Sequence, residues 1–355
     1  MQKKILVLAL AAAFAAPAFA ADTTVYGVAD AAVASMSGSG NKSDVSVWSG
    51  GMAGSRLGVK ASEDIGSDMK AGAVVEYGLD IADGTAGTAL GAARQTLVSV
   101  EGGFGKVAAG YLQTTGYDFS RFDPTNGSMF TPLGNITKKS FMIGNQATMA
   151  RLYRAVGYTS PDMGGFNIAV SYGGADNKTD TGVADSADTT KSPVYMVSGN
   201  YANGPLGVAV VYANKSAAPV APAASVKTTE TAIGASYDLG MAKLFATYQT
   251  NKADGAADAD TAMSVSASAP FGASTVMLTY AKGSIKSVSA TDSDVSGYSL
   301  AWLNSLSKTT TLYAAYSGMS QGNSLTAYGV AGDKMSKLSA GAGSSMLAVG
   351  LNKKF

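Results

Sequence analysis

Period-two alternation is the feature that leaves this chain the fewest options. Across residues 69–81 the odd positions hold Met69, Ala71, Ala73, Val75, Tyr77, Leu79 and Ile81. The even positions hold Lys70, Gly72, Val74, Glu76, Gly78 and Asp80. A strand sends successive side chains to opposite faces, so this stretch is a ribbon with one apolar side and one largely polar or charged side. The pattern recurs along the chain. Val25, Gly27, Ala29, Ala31 and Val33 oppose Tyr26, Val28, Asp30 and Ala32; Phe166, Ile168, Val170 and Tyr172 oppose Asn167, Ala169 and Ser171. The last segment offers Leu347, Val349, Leu351 and Phe355. Helical segments with a 3.6-residue period are missing.

The ribbons come in pairs with a consistent asymmetry. Short turns such as "SEDIGSD", "EGGFG", "SPDMGG" and "APFGA" join one end, and long polar connections join the other. The long ones are read at residues 35–53, 82–93, 114–150, 174–192, 213–228, 250–260, 283–294 and 318–342. Seven short turns and eight long loops imply sixteen antiparallel strands. A soluble sandwich would bury its apolar face under large side chains. Here that face is thin, rich in Ala, Val and Gly, with Tyr77, Tyr158, Tyr172, Tyr212, Tyr237, Tyr248 and Tyr280 near strand ends. Charges such as Arg56, Lys60, Glu76 and Arg151 fall on strands. A closed barrel satisfies its backbone where lipid cannot, and terminal tyrosines suit two interfacial girdles. The expected fold is all-β, a 16-stranded antiparallel transmembrane β-barrel with lipid outside and a water-filled pore inside. The segment "SAAPVAPAASV" (216–226) reads as an exposed loop between ribbons of the same period, not as an interdomain linker.

Composition narrows the function. Lys3 and Lys4 precede an apolar run over residues 5–16, and Ala18-Phe19-Ala20 closes it in small-x-small form. Residues 1–20 therefore read as a secretory signal, and residues 21–355 as one barrel domain. The run is too short for a membrane anchor, and nothing else approaches the ~20 apolar residues of a spanning helix. Removing Lys3 and Lys4 turns the formal +1 into −1, which gives no hint of a nucleic-acid partner. Neither Cys nor His occurs, so disulfides, thiolate or imidazole metal sites and His-dependent catalysis are all excluded. A Ser-Lys or two-carboxylate hydrolase has no supporting spacing. The chain reads as no enzyme, with no cofactor. A substrate-specific channel and an exported adhesin are the rival readings.

Four motifs in order then resemble a known family. They are "SRLGVKASEDIGSDMKA", "GYTSPDMGGF" (157–166), "LSKTTTLYAAYS" (306–317) and "AVGLNKKF" (348–355), after an opening "TTVYGVADA" (23–31). The chain resembles the general porins of Gram-negative bacteria, in the form common among β-proteobacteria, over nearly all of residues 21–355. Two departures are Thr309, where such porins often carry a basic residue, and Lys353, where they usually carry His. The resemblance implies an outer-membrane, multi-pass barrel for passive diffusion of small hydrophilic solutes and ions. It also implies a homotrimer in contact with outer-membrane lipid and lipopolysaccharide, inserted by the barrel-assembly machinery. The terminal Phe355 looks like part of the signal read by that machinery, or is simply an apolar residue facing lipid.

The expected constriction follows from the same resemblance. In such porins the third long loop folds into the lumen, and here residues 114–150 form the longest connection. Its apolar patches, Met129-Phe130 and Phe141-Met142-Ile143, suit packing on an inner wall rather than solvation. Wall arginines of the family match Arg56, Arg94 and Arg151. Arg56 and Arg151 fall on polar parity, whereas Arg94 shares parity with Val98 and Val100 and faces inward only if its strand twists or bulges near its end. Arg154 shares parity with Val156 and Tyr158 and reads as an interfacial charge. The loop carries Arg121, Lys138 and Lys139 against Asp118 and Asp123, a net of +1. With Arg56, Lys60, Arg94 and Arg151, opposed by Glu76 and Asp80, the pore is expected to be mildly anion-preferring.

Overall fold

A computed structural model describes residues 22–38, 41–82, 93–144, 147, 149–174, 193–217, 226–326, 328–330 and 338–355, with 41–44 and 217 described by backbone alone. The signal segment lies outside the described residues, as do most of the loops read at 82–93, 174–192 and 216–226. The alternating ribbons become strands β1 (Asp22–Gly38), β2 (Asn41–Ser49), β3 (Arg56–Gly66), β4 (Met69–Gly78), β5 (Ala93–Gly102) and β6 (Gly105–Gln113). Then come β7 (Arg151–Thr159), β8 (Phe166–Gly174), β9 (Pro193–Asn203), β10 (Leu206–Ala217), β11 (Val226–Asp238) and β12 (Lys243–Ala253). The last are β13 (Asp260–Phe271), β14 (Ser274–Ser284), β15 (Asp294–Ser307), β16 (Thr310–Gln321) and β17 (Ser344–Lys354). β2 and β3 both pair antiparallel with β1, each strand from β3 onward pairs antiparallel with the next, and β17 pairs with β1, for example Val33 opposite Val349. The sheet is closed.

One expected loop is corrected. The first long connection, expected at residues 35–53, is largely strand: β1 continues to Gly38 and β2 returns along it from Asn41. The polar sequence concealed two paired strands. Both β2 and β3 pair with β1: Ala31 lies opposite Ser49, and Val28 opposite Arg56. They are two halves of one wall strand interrupted by an excursion at residues 50–55, so the wall has sixteen strands. Among the described residues no helix is long and apolar enough to cross a membrane; the strands, of 9 residues or more, cross instead.

The apolar faces point outward. Val33, Val98, Val265, Leu278 and Val349 are each half or more exposed, which in water would be a large unexplained apolar surface. Outward aromatics form two belts. Tyr172, Tyr195, Tyr248, Tyr280, Tyr298 and Tyr316 ring the end nearer the long loops, with Tyr195–Tyr212 and Tyr298–Tyr316 centroids each 6.0 Å apart. Phe104, Phe166, Tyr201, Tyr237, Phe271 and Phe355 ring the short-turn end. The spacing between belts is the height of the lipid-facing band.

The seam where the chain ends meet is tied by Asp30, which is fully buried on the inward face. Its carboxylate accepts from Tyr313 Oη at 2.6 Å, Asn352 Nδ2 at 2.7 Å and Ala53 N at 3.0 Å. One side chain thus joins β1, β16, β17 and the 50–55 excursion. Tyr313 reaches Asp30 by crossing over Gly350, where a Cβ would lie 2.3 Å from the ring. Gly350→Ala is therefore expected to displace Tyr313 and cost about 1–3 kcal/mol of overpacking beside a lost buried hydrogen bond. The check is the temperature at which the folded band disappears in heat-modifiable gel migration, which should fall; no change would refute the role of this crossing.

Candidate functional site

Two arginines and one glutamate meet on the inner wall because β3, β4 and β5 bring them into adjoining rows, beside Tyr26 of β1. Register sets Tyr26 opposite Gly58 and Gly58 opposite Glu76. Gly58 has no Cβ, so the Tyr26 ring lies over it and donates its hydroxyl to Glu76 Oε2 at 3.0 Å. Arg56 Nε stands 3.6 Å from Glu76 Oε2 and its Nη1 donates to Gly54 O at 2.9 Å, fixing the guanidinium on the excursion. Arg94 Nε lies 2.7 Å from Glu76 Oε1. Simple alternation would turn Arg94 away. The β4–β5 register, however, pairs Glu76 with Gln95 and Tyr77 with Ala93, leaving Arg94 as an extra, unpaired residue. A bulge of one residue re-aims the side chain it carries.

A second bulge lies in β7. Gly110 pairs with Ala155 and Leu112 with Leu152, so two residues oppose Tyr111. Arg154 takes φ +50° there and is exposed. Alternation counted back from Val156 therefore does not reach Arg151, and the parity argument for that residue is corrected. Leu152 is the one buried beside Leu112, while Arg151 places its guanidinium 5.0 Å over the ring of Tyr117. It remains within electrostatic range of Arg94 and Glu76.

Tyr117 belongs to the segment 114–150, whose apolar patches account for its path. Helix α1 (Thr115–Asp118) packs against β8 and β9, where Thr115 N donates to Ser171 Oγ at 3.2 Å and Thr115 Oγ1 meets Ser198 Oγ. Helix α2 (Pro132–Thr137), with Thr131 as N-cap and Pro at its first position, packs against β13, β14 and β15. Phe119, Phe122, Phe130, Phe141, Met142 and Ile143 are all buried. The far end of the segment is held by Glu230, fully buried on β11, which accepts from Met142 N at 2.5 Å, Ile143 N at 3.1 Å and Asn251 Nδ2 at 3.0 Å.

The remaining candidate residues divide. Arg121 Nη2 donates to Asn200 Oδ1 at 2.8 Å and its Nη1 to Asp118 O at 3.2 Å, so it reaches the opposite wall from Arg56. Asp118 and Arg121 still touch solvent, but enclosure raises the Asp118 carboxyl and lowers Arg121, each opposed by the charge of the other. Asp123 is turned into the segment itself. It accepts from Thr125 N at 2.9 Å, Thr125 Oγ1 at 2.6 Å and Thr131 Oγ1; burial raises it and those bonds oppose the rise. Lys138 lies at the C-cap of α2, and Lys139 stands 5.6 Å over the Tyr328 ring, on another loop. Lys60 approaches the other side of Tyr26, 6.0 Å from its centroid. Arg56, Glu76 and Arg94 are thus brought together with Arg151 in electrostatic range, whereas Asp123 and Lys139 are not with them.

A closed barrel of sixteen strands, lipid-facing belts and a charged inner wall are the features of a channel. The family model described as Gram-negative porin matches residues 7–324. The chain is a Gram-negative porin. Outer membrane porin protein 32 of Delftia acidovorans is 30% identical over 319 residues, 88% of each chain. Major outer membrane protein P.IB of Neisseria meningitidis is 30% identical over 210 residues, 58% of this chain and 56% of that one. Among solved structures, the anion-selective porin from Comamonas acidovorans superposes with a TM-score of 0.77 at 26% identity, over 94% of this chain and 100% of that one. Salmonella typhi OmpF gives 0.68 at 16% identity, covering 94% and 97%, and shares the fold. This porin is an outer-membrane protein that crosses with strands.

Its two departures from the family pattern meet each other: Lys353 Nζ donates to Thr309 Oγ1 at 2.8 Å. The terminal Phe355 exchanges backbone hydrogen bonds with Gly27 and lays its ring over that glycine, closing the porin at the first strand. Sequence reasoning missed Asp30, Tyr117 and Glu230. Glu230 carried a signal: it shares parity with Ala232 and Gly234, an acid on an inward face otherwise made of small residues.

Proposed function

We propose that this porin lets small hydrophilic solutes and ions diffuse passively, prefers anions mildly, and owes the preference to Arg56, Arg94 and Arg151 set against Glu76. The observation that carries the reading is the pairing of the Arg56 and Arg94 guanidinium groups with the Glu76 carboxylate, with Arg151 over Tyr117 of the segment 114–150 and within their electrostatic range. That segment narrows the lumen. A ring of fixed positive charge lowers the cost of entry for anions, and in a wet pore its reach is limited to about 8–10 Å at physiological salt. The description of the Comamonas protein as anion-selective agrees with this. Small outward residues on the early strands, Ala29, Ala31, Ala71 and Ala73, allow close barrel–barrel packing and support a homotrimer. Cleavage after Ala20, lipopolysaccharide around the belts and reading of Phe355 by the insertion machinery complete the proposal.

Planar-bilayer recording across a KCl gradient tests it: the reversal potential should have the sign of chloride preference. A cation-sign potential would overturn the selectivity, and no conductance would overturn the open pore. Enclosure raises the Asp118 carboxyl, so it loses its charge at a higher pH than an open aspartate does. Lowering pH through that window removes a negative charge beside Arg121 and should strengthen the anion preference. Asp118→Asn should flatten this part of the pH dependence; an unchanged profile would exclude Asp118 as its source.

A further inference from the structure

Four hydroxyls stand side by side across the inner wall. Register places Ser266 opposite Thr279, Thr279 opposite Ser299, and Ser299 opposite Ser317, one from each of β13, β14, β15 and β16. All four are at least nine-tenths buried, and none has a protein hydrogen-bond partner among the described residues. Their surroundings are closed. The next row toward the long loops is Ser264, Ala281, Gly297 and Met319, and there α2 seats Pro132 against Gly297. The next row the other way is Ser268, Met277, Ala301 and Ala315. Sideways, the row ends at Phe245 and Met346, both buried. The segment 114–150 covers the lumen side, with α2 against these strands and Phe130 6.3 Å from the Tyr313 ring. That segment carries two further buried acceptors without a protein donor, Asn126 Oδ1 and Asn135 Oδ1.

Buried polar groups in folded proteins find partners, in protein or in ordered water. Neighbouring strands are about 4.8 Å apart, too far for hydroxyls pointing straight inward to bond directly. One water between each pair, at about 2.8 Å from both oxygens, fits that spacing. Where two wall hydroxyls can converge they do: Thr247 and Ser264 meet at 2.7 Å. The row of four does not. We infer that a file of bound water lies behind the segment 114–150, bridging Ser266, Thr279, Ser299 and Ser317 and hydrating the face on which α2 rests. The polar moorings described above fall on β8, β9, β11 and β12; the water file supplies hydrogen bonding on the β13–β16 side. Phe245 and Met346 seal it laterally, so it is a structural water site and not a second conduction path.

Two measurements on the full-length porin test this. A crystal structure that resolves ordered water should show density between successive hydroxyls of the row; a dry row, or hydroxyls bonded directly to each other or to the segment, would overturn it. Thr279→Val and Ser299→Ala, made separately, discriminate in solution. If the row is hydrated, each variant breaks the file and lowers the temperature at which the heat-modifiable folded band is lost. If the row is dry, each removes an unsatisfied hydroxyl and that temperature rises or stays, which would refute the site. Ser266→Ala, at the end of the file, keeps the test available should a central variant fail to fold, with the same two signs expected.

Discussion

Replacing Arg56, Arg94 and Arg151 together with Gln should reverse the sign of the reversal potential across a KCl gradient. The site then changes from two arginines paired with one carboxylate and a third in electrostatic range to the Glu76 carboxylate alone. Arginine stays charged at any working pH, so titration near neutrality cannot mimic the effect. The shift should be largest at low salt, where screening is weakest. Glu76 is nearly buried and would lose both its ion-pair partners, keeping only the Tyr26 hydroxyl. Breaking a buried pair from one side costs about 3–5 kcal/mol, which a partly solvated lumen reduces. The quadruple variant that adds Glu76→Gln should recover stability and show almost no ion preference. Glu76→Gln alone should do the opposite of the triple variant and strengthen anion preference. An unchanged potential in a folded triple variant would falsify the placement of selectivity at this cluster.

Glu230→Ala should release the far end of the segment 114–150. The Met142 and Ile143 N–H groups would lose their acceptor inside a buried site, at about 1–3 kcal/mol each. The barrel does not depend on this contact for closure, since every wall strand keeps its backbone ladder. The expected result is a folded porin with larger and noisier single-channel conductance and a lower unfolding temperature. Glu230→Gln retains one acceptor but turns an amide N–H₂ toward one of the two donors, so it should fall between wild type and Ala. Unchanged conductance in both variants would mean that apolar packing of Phe141, Met142 and Ile143 holds the segment without this anchor.

Alternation along residues 69–81 and its repeats determined the barrel, its inside and its outside, because a two-residue period is a local property of an extended chain. Residue types settled much more: an absence of His and Cys, tyrosines near strand ends, and apolar patches in the longest loop. The pairing of β1 with β2 escaped because its polar sequence does not differ from that of a long loop; cross-strand pairing, not composition, ends a strand. The facing of Arg94 and the position of Arg151 were decided by bulges of a single residue. Each reverses the parity on which a count depends, and each is fixed by hydrogen bonds to neighbouring strands. The contacts Asp30–Tyr313, 283 positions apart, and Met142–Glu230, 88 apart, have no trace in any window of sequence. Local alternation set which face of most ribbons meets lipid. Which charges meet in the pore waited on barrel closure, because closing the barrel sets the register, and register brings remote residues together.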